Sequence, residues 1–204
     1  MPDGRTYEGP AGAPLKDFVA AAYPNPPAPI VAALVNGSLH ELTARIERDS
    51  DVVPIDMTTS DGMRVFHRSL TFLLVVAMRE VFPEARVLVD FSVTLGGFYC
   101  SVAGREPLTE SELDAVERRM REIVAADEPI VRGRIPLAEA REMFSAAGYD
   151  SKVRLLESAG EDHVTVYSLR GVRDYFYGYM MPSTGEMTTF ALQAQPPGFV
   201  LRLP

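Results

Sequence analysis

Three histidines, one cysteine and a tyrosine-rich segment hold most of the chemistry this chain can offer. His67 stands near the start of an apolar, helix-forming run. A metal site on that stripe would need a second imidazole one turn on, at position 71, because residues i and i+4 share a helix face. Thr71 is there instead. His40 falls on an expected hairpin and His163 in a turn after Glu161-Asp162. Both are expected at the surface, and neither lies at ligand spacing from another histidine. Cys100 shares a strand face with Phe98 and Val102 and reads as an inert, buried thiol. A lone cysteine excludes an intramolecular disulfide and a cysteine-based zinc cluster. Arg173 to Pro182 gathers three of the eight tyrosines. Such a run either lines a pocket for a planar ligand or alternates along a strand.

Nucleotide chemistry has no foothold. The chain contains neither G-x-x-x-x-G-K-[ST] nor G-x-G-x-x-G, and Gly96-Gly97 alone reads as a turn. The formal charge is −8, so nucleic acid is an unfavoured partner without a local basic patch. Arg118, Arg119, Arg121, Arg132 and Arg134 are interleaved with Glu and Asp, which describes a solvated helix face rather than such a patch. Basic residues are 18 Arg and 2 Lys, and 47% of the 204 residues are hydrophobic, an ordinary globular balance. No signal-peptide order is visible, and the longest apolar run, Leu70 to Met78, is about half a membrane span. A cytoplasmic location and no membrane partner are the expectation.

The elements that must position these residues form an α+β pattern. Arg5 to Glu8 is a possible short strand and Gly9 to Pro14 a loop. Lys16 to Tyr23 predicts a helix, stopped by Pro24-Asn25-Pro26-Pro27. Ile30 to Val35 and Ser38 to Leu42 flank Asn36-Gly37, the strongest two-residue hairpin turn. With a further strand over Asp49 to Ile55, this gives a small β-grasp-like unit over residues 1–58. The polar stretch Met57 to Gly62 reads as a boundary, and a second unit runs over 63–204. It opens with a central helix from Val65 to Val81 that is apolar all round. Strands follow over Arg86 to Val93 and Phe98 to Val102. A capping box, Thr109-x-x-Glu112, starts the next helix. Pro136 opens another that stops at Gly148, and strands and turns alternate from Val164 to Leu203.

The order of these motifs resembles two groups. Val35-Asn36-Gly37 with Asp49 is similar to the TGS domain of threonyl-tRNA synthetase. The stretches His67 to Pro83, Gly97-Phe98-Tyr99, Leu108 to Met120, Glu139 to Phe144, Lys152 to Leu156 and Val166-Tyr167 resemble the editing domain that follows it. That domain holds a metal and deacylation site built from H-x-x-x-H and a later C-x-x-x-H. Carried over, the four positions are His67, Thr71, Phe176 and Met180. The resemblance therefore implies a degenerate site without metal or catalytic residues. It also implies a remnant binding pocket bordered by His67, Thr71, Cys100 and Tyr177.

The tail from Asp174 to Pro204 resembles bacterial uridine kinase-like proteins just ahead of their P-loop domain. This implies a non-catalytic accessory region of a nucleoside kinase. It would dock on its own downstream kinase domain and bind no cofactor itself, ATP and Mg belonging to that domain. The alternative is an aminoacyl-tRNA editing domain with a degenerate metal site. A small-molecule ligand is compatible with either.

Overall fold

A computed structural model describes residues 1–93, 96–158 and 162–204. They group into two compact units, Met1–Pro129 with Tyr179–Pro204, and Ile130–Gly178. The boundary expected between 58 and 63 falls inside the first unit, at the start of its longest helix.

The first unit begins with β1 (Ala13–Pro14), α1 (Leu15–Ala22), β2 (Ile30–Val35), β3 (Ser38–Glu41), β4 (Arg45–Ile46) and β5 (Val52–Asp56). β2 is the centre of an antiparallel sheet ordered β3-β2-β5. Asn36 and Gly37 both have positive φ, 50° and 82°, as the tight hairpin between β2 and β3 requires. Leu15 and Val19 of α1 close a small core with Ala33, Leu42 and Val52. Residues 5–8 form no strand, and the expected 9–14 loop contains β1, paired with β4.

The central helix α2 spans Ser60–Val81 and so starts five residues before the expected Val65. Ser60, Asp61 and Gly62, expected in a linker, are its first turn. Thr59 caps it by accepting from the Gly62 N–H at 3.1 Å. Gly62, expected at the end of the boundary stretch, allows close passage in that turn: a Cβ would lie 1.9 Å from the Asp56 carbonyl oxygen. Phe66, Leu70, Phe72, Leu73 and Val76 are all fully buried, as the all-round apolar pattern predicts. The remaining sheet is antiparallel, ordered β11-β12-β7-β6, with β6 (Arg86–Ser92), β7 (Gly97–Ala103), β11 (Ala191–Gln195) and β12 (Gly198–Arg202). Helix α3 (Glu110–Ala125) begins with the full capping box of Thr109 and Glu112. Two of its arginines are ion-pair partners: Arg119 bridges Glu80 and Glu122, and Arg121 holds Glu117.

The second unit contains β8 (Val131–Pro136), α4 (Leu137–Ala146), α5 (Asp150–Ser158), β9 (His163–Leu169) and β10 (Val172–Asp174). Its antiparallel sheet is ordered β10-β9-β8, and Ala140, Phe144, Leu156, Val164 and Val166 form the core. Pro136 is the N-cap of α4 rather than its first residue. Gly148 ends α4, and Tyr149 turns the chain directly into α5, which the sequence pattern did not announce. The tyrosine-rich run leaves the strand after Asp174, so it is not an alternating strand. No helix among the described residues is long and apolar enough to cross a membrane.

Candidate functional site

His67 lies in the second turn of α2. The Thr71 hydroxyl is spent on the helix itself, donating to the His67 carbonyl at 2.8 Å. The imidazole meets the Phe98 ring edge-on, with centroids 5.8 Å apart, and Phe66 at 6.4 Å. Its Nε2 is buried and has no hydrogen-bond partner among the described residues. Desolvation lowers the His67 pKa, so the ring is neutral at pH 7.

Cys100 follows Phe98 by two residues on β7, so both side chains stand on the same sheet face. Cys100 is fully buried, and its thiol donates to the Phe98 carbonyl at 3.6 Å. Burial pushes its pKa up to about 12. The thiolate fraction near neutral pH is then about a thousandfold below that of an ordinary thiol, and the inert reading holds. In native buffer at pH 8 a thiol-reactive disulfide reagent is expected to leave Cys100 unmodified, with one thiol appearing on denaturation. Rapid release of one equivalent from the folded chain would contradict this assignment.

The segment after the second unit runs beside the start of α2. Arg68 donates to the Tyr179 carbonyl. Ser69 is fully buried, and its Oγ accepts from the Met181 N–H at 2.8 Å while donating to the Val65 carbonyl. The Tyr179–Met181 segment thus lies beside the helix that carries His67. Met180 is 1% exposed and packs as a core residue. His40 is not a free surface residue as expected: it is half-buried and stacks on Tyr179 at 6.4 Å. Tyr177 belongs to the second unit and is 89% exposed. His163 is exposed at the start of β9, while Glu161 of its expected turn lies outside the described residues.

The donors at the four carried-over positions do not fit a metal. One imidazole, one committed hydroxyl, one phenyl ring and one buried thioether do not make a zinc-binding set. Among the described residues no group of three or more His, Cys, Asp or Glu could hold a metal ion.

A second cluster escaped the sequence reading. Lys152 of α5 is ion-paired with Asp174 of β10, whose side chain is 5% exposed. The ammonium also lies 4.7 Å from the Tyr149 ring centroid, 5.5 Å from Phe144 and 5.9 Å from Phe176. Phe176 therefore lends an aromatic face to this cation. The available signal was that Lys152 is one of only two lysines in an arginine-rich chain.

No family model matches the chain. Over 94% of its length it is 34% identical to a threonine–tRNA ligase from Symbiobacterium thermophilum. It is 31% identical over the same share to threonine–tRNA ligases from Burkholderia lata and Burkholderia vietnamiensis. The chain spans about 30% of the length of each of these relatives.

Proposed function

We propose that the chain is a threonyl-tRNA synthetase-type region, TGS-like and editing-like, that works as a ligand-sensing or docking module without hydrolysing aminoacyl-tRNA. The similarity to threonine–tRNA ligases over nearly the whole chain supports the synthetase part of this reading. The observation that carries the non-hydrolytic part is the state of the helix motif. Thr71 is hydrogen-bonded back into α2, and His67 is a neutral ring set against Phe98.

Deacylation needs a water or hydroxyl made nucleophilic beside an ester carbonyl. A general base does this only when it is positioned toward the proton it removes. Among the described residues His67 has no orienting partner at Nε2, Cys100 is a buried protonated thiol, and no metal-ligand set replaces them. With a net charge of −8, a polyanionic RNA backbone is a poor principal ligand, so the proposed partner is a small molecule or a protein surface. The accessory role in a uridine kinase finds no support in the threonine–tRNA ligases named above, and the synthetase-type reading is preferred to it.

Incubating the purified chain with mischarged threonine tRNA, with and without added zinc, tests this reading. Release of the amino acid is expected to match the buffer control. Turnover that is abolished by His67→Ala would overturn it.

A further inference from the structure

We infer that β6 is a self-complementary edge, through which the first unit pairs with a second copy of this chain, antiparallel about a two-fold axis at Leu88. β6 ends its sheet and pairs only with β7 among the described residues. Leu88 and Val89 are 44% and 39% exposed, the one adjacent pair of exposed large apolar side chains among those residues. β11, at the opposite edge of the sheet, exposes none. Consecutive strand residues point to opposite faces, so the β6 edge is open to water on both. A sheet edge with exposed apolar side chains is a template for another strand.

The order of the side chains selects which strand. Ser101 stands opposite Leu88 in the β6–β7 register, and its hydroxyl donates to Asp90 Oδ2 at 2.8 Å, so Leu88 and Asp90 share a face. Arg86, two residues before Leu88, lies on that face as well, and Val87 and Val89 lie on the other. An antiparallel copy with Leu88 opposite its own equivalent brings Arg86 of each chain opposite Asp90 of the other. The two Leu88 side chains then meet, and Val87 meets Val89 on the second face. Opposite charges and apolar pairs directly across an antiparallel ladder are each stabilising. Neighbouring registers lose this match. With Val89 at the axis Leu88 faces Asp90, and with Val87 there Arg86 faces Leu88. Edges that must stay single often carry lysines, whose like charges meet on pairing. β6 has one charge of each sign and no lysine. The β-bulge after Val89 limits the regular ladder, so the pairing spans Arg86 to Asp90. So short a contact buries less than a standard interface, and the dimer is weak.

Sedimentation equilibrium of the 204-residue chain, up to about 1 mM, reads the association. A monomer–dimer equilibrium is expected that weakens as salt rises. Asp90→Arg and Arg86→Asp each set like charges opposite one another, and each is expected to weaken the dimer at least about tenfold. A mixture of the two variants is expected to regain dimers, because every crossing pair is again opposite in sign. Leu88→Cys, on the axis, gives a second readout. Under mild oxidant it is expected to crosslink to its own equivalent at least about tenfold faster than Asp90→Cys, which does not face itself, while Cys100 stays buried. A chain that remains monomeric throughout would overturn the inference and leave the edge to a foreign strand. So would a dimer that both charge variants leave intact, a mixture that stays monomeric, or equal crosslinking at 88 and 90.

Discussion

Replacing Asp174 with alanine is expected to destabilise the second unit by about 3–5 kcal/mol, because it strands a partly buried ammonium without its counter-ion. Asp174 is 4% exposed and accepts from both Lys152 and the Tyr175 N–H, the latter at 2.7 Å. The rings of Tyr149, Phe144 and Phe176 shield the lysine from water but supply only part of the lost attraction. Asp174→Asn keeps an oxygen for Tyr175 and is expected to cost less than the alanine. Urea unfolding, followed by a probe in the second unit, measures both. A loss below about 1 kcal/mol for the alanine variant would mean that the pair is a solvated surface contact.

Thr184→Val is the second large effect, expected at about 2–4 kcal/mol. Valine nearly matches threonine in shape, so little cavity is created and the cost isolates the hydroxyl. That hydroxyl serves two backbone groups, the Ile123 carbonyl and the Glu128 N–H, and each loses its partner in a fully buried place. Chemical denaturation of the full chain gives the number. Near-neutral behaviour would show that water reaches these groups, and that the loop at 185–190 is less firmly tied to α3 than its hydrogen bonds imply.

Local signals read well where a single turn or cap decides the geometry. Asn36-Gly37 specified its hairpin, and Thr109 with Glu112 specified the start of α3, because those residues supply the backbone angles and acceptors themselves. Boundaries failed where glycine had a tertiary purpose. Gly62 looked like a linker residue, yet it sits in the first turn of α2 because the chain at Asp56 passes too close for any side chain. The mixed α+β architecture followed from the same patterns.

The candidate site was legible only in part. Positions 67 and 71 sit one turn apart on any helix, so the missing second imidazole was evident from spacing. The Lys152–Asp174 pair was not, since 22 residues separate its members and no motif links them. The loop at 185–190 is likewise tied to the end of α3 by the Gly185 to Asp127 hydrogen bond, between residues 58 apart that share no sequence motif. Folding, not pattern, creates both.

The proposed reading is that this α+β chain, similar to part of the threonine–tRNA ligases, holds no hydrolytic metal centre. Elemental analysis of the chain, purified without a histidine tag and exposed to zinc before desalting, tests it most directly. Zinc far below one equivalent is expected, because position 71 offers a committed hydroxyl and positions 176 and 180 offer a phenyl ring and a buried thioether. One equivalent of zinc that survives desalting and is lost on His67→Ala would contradict it.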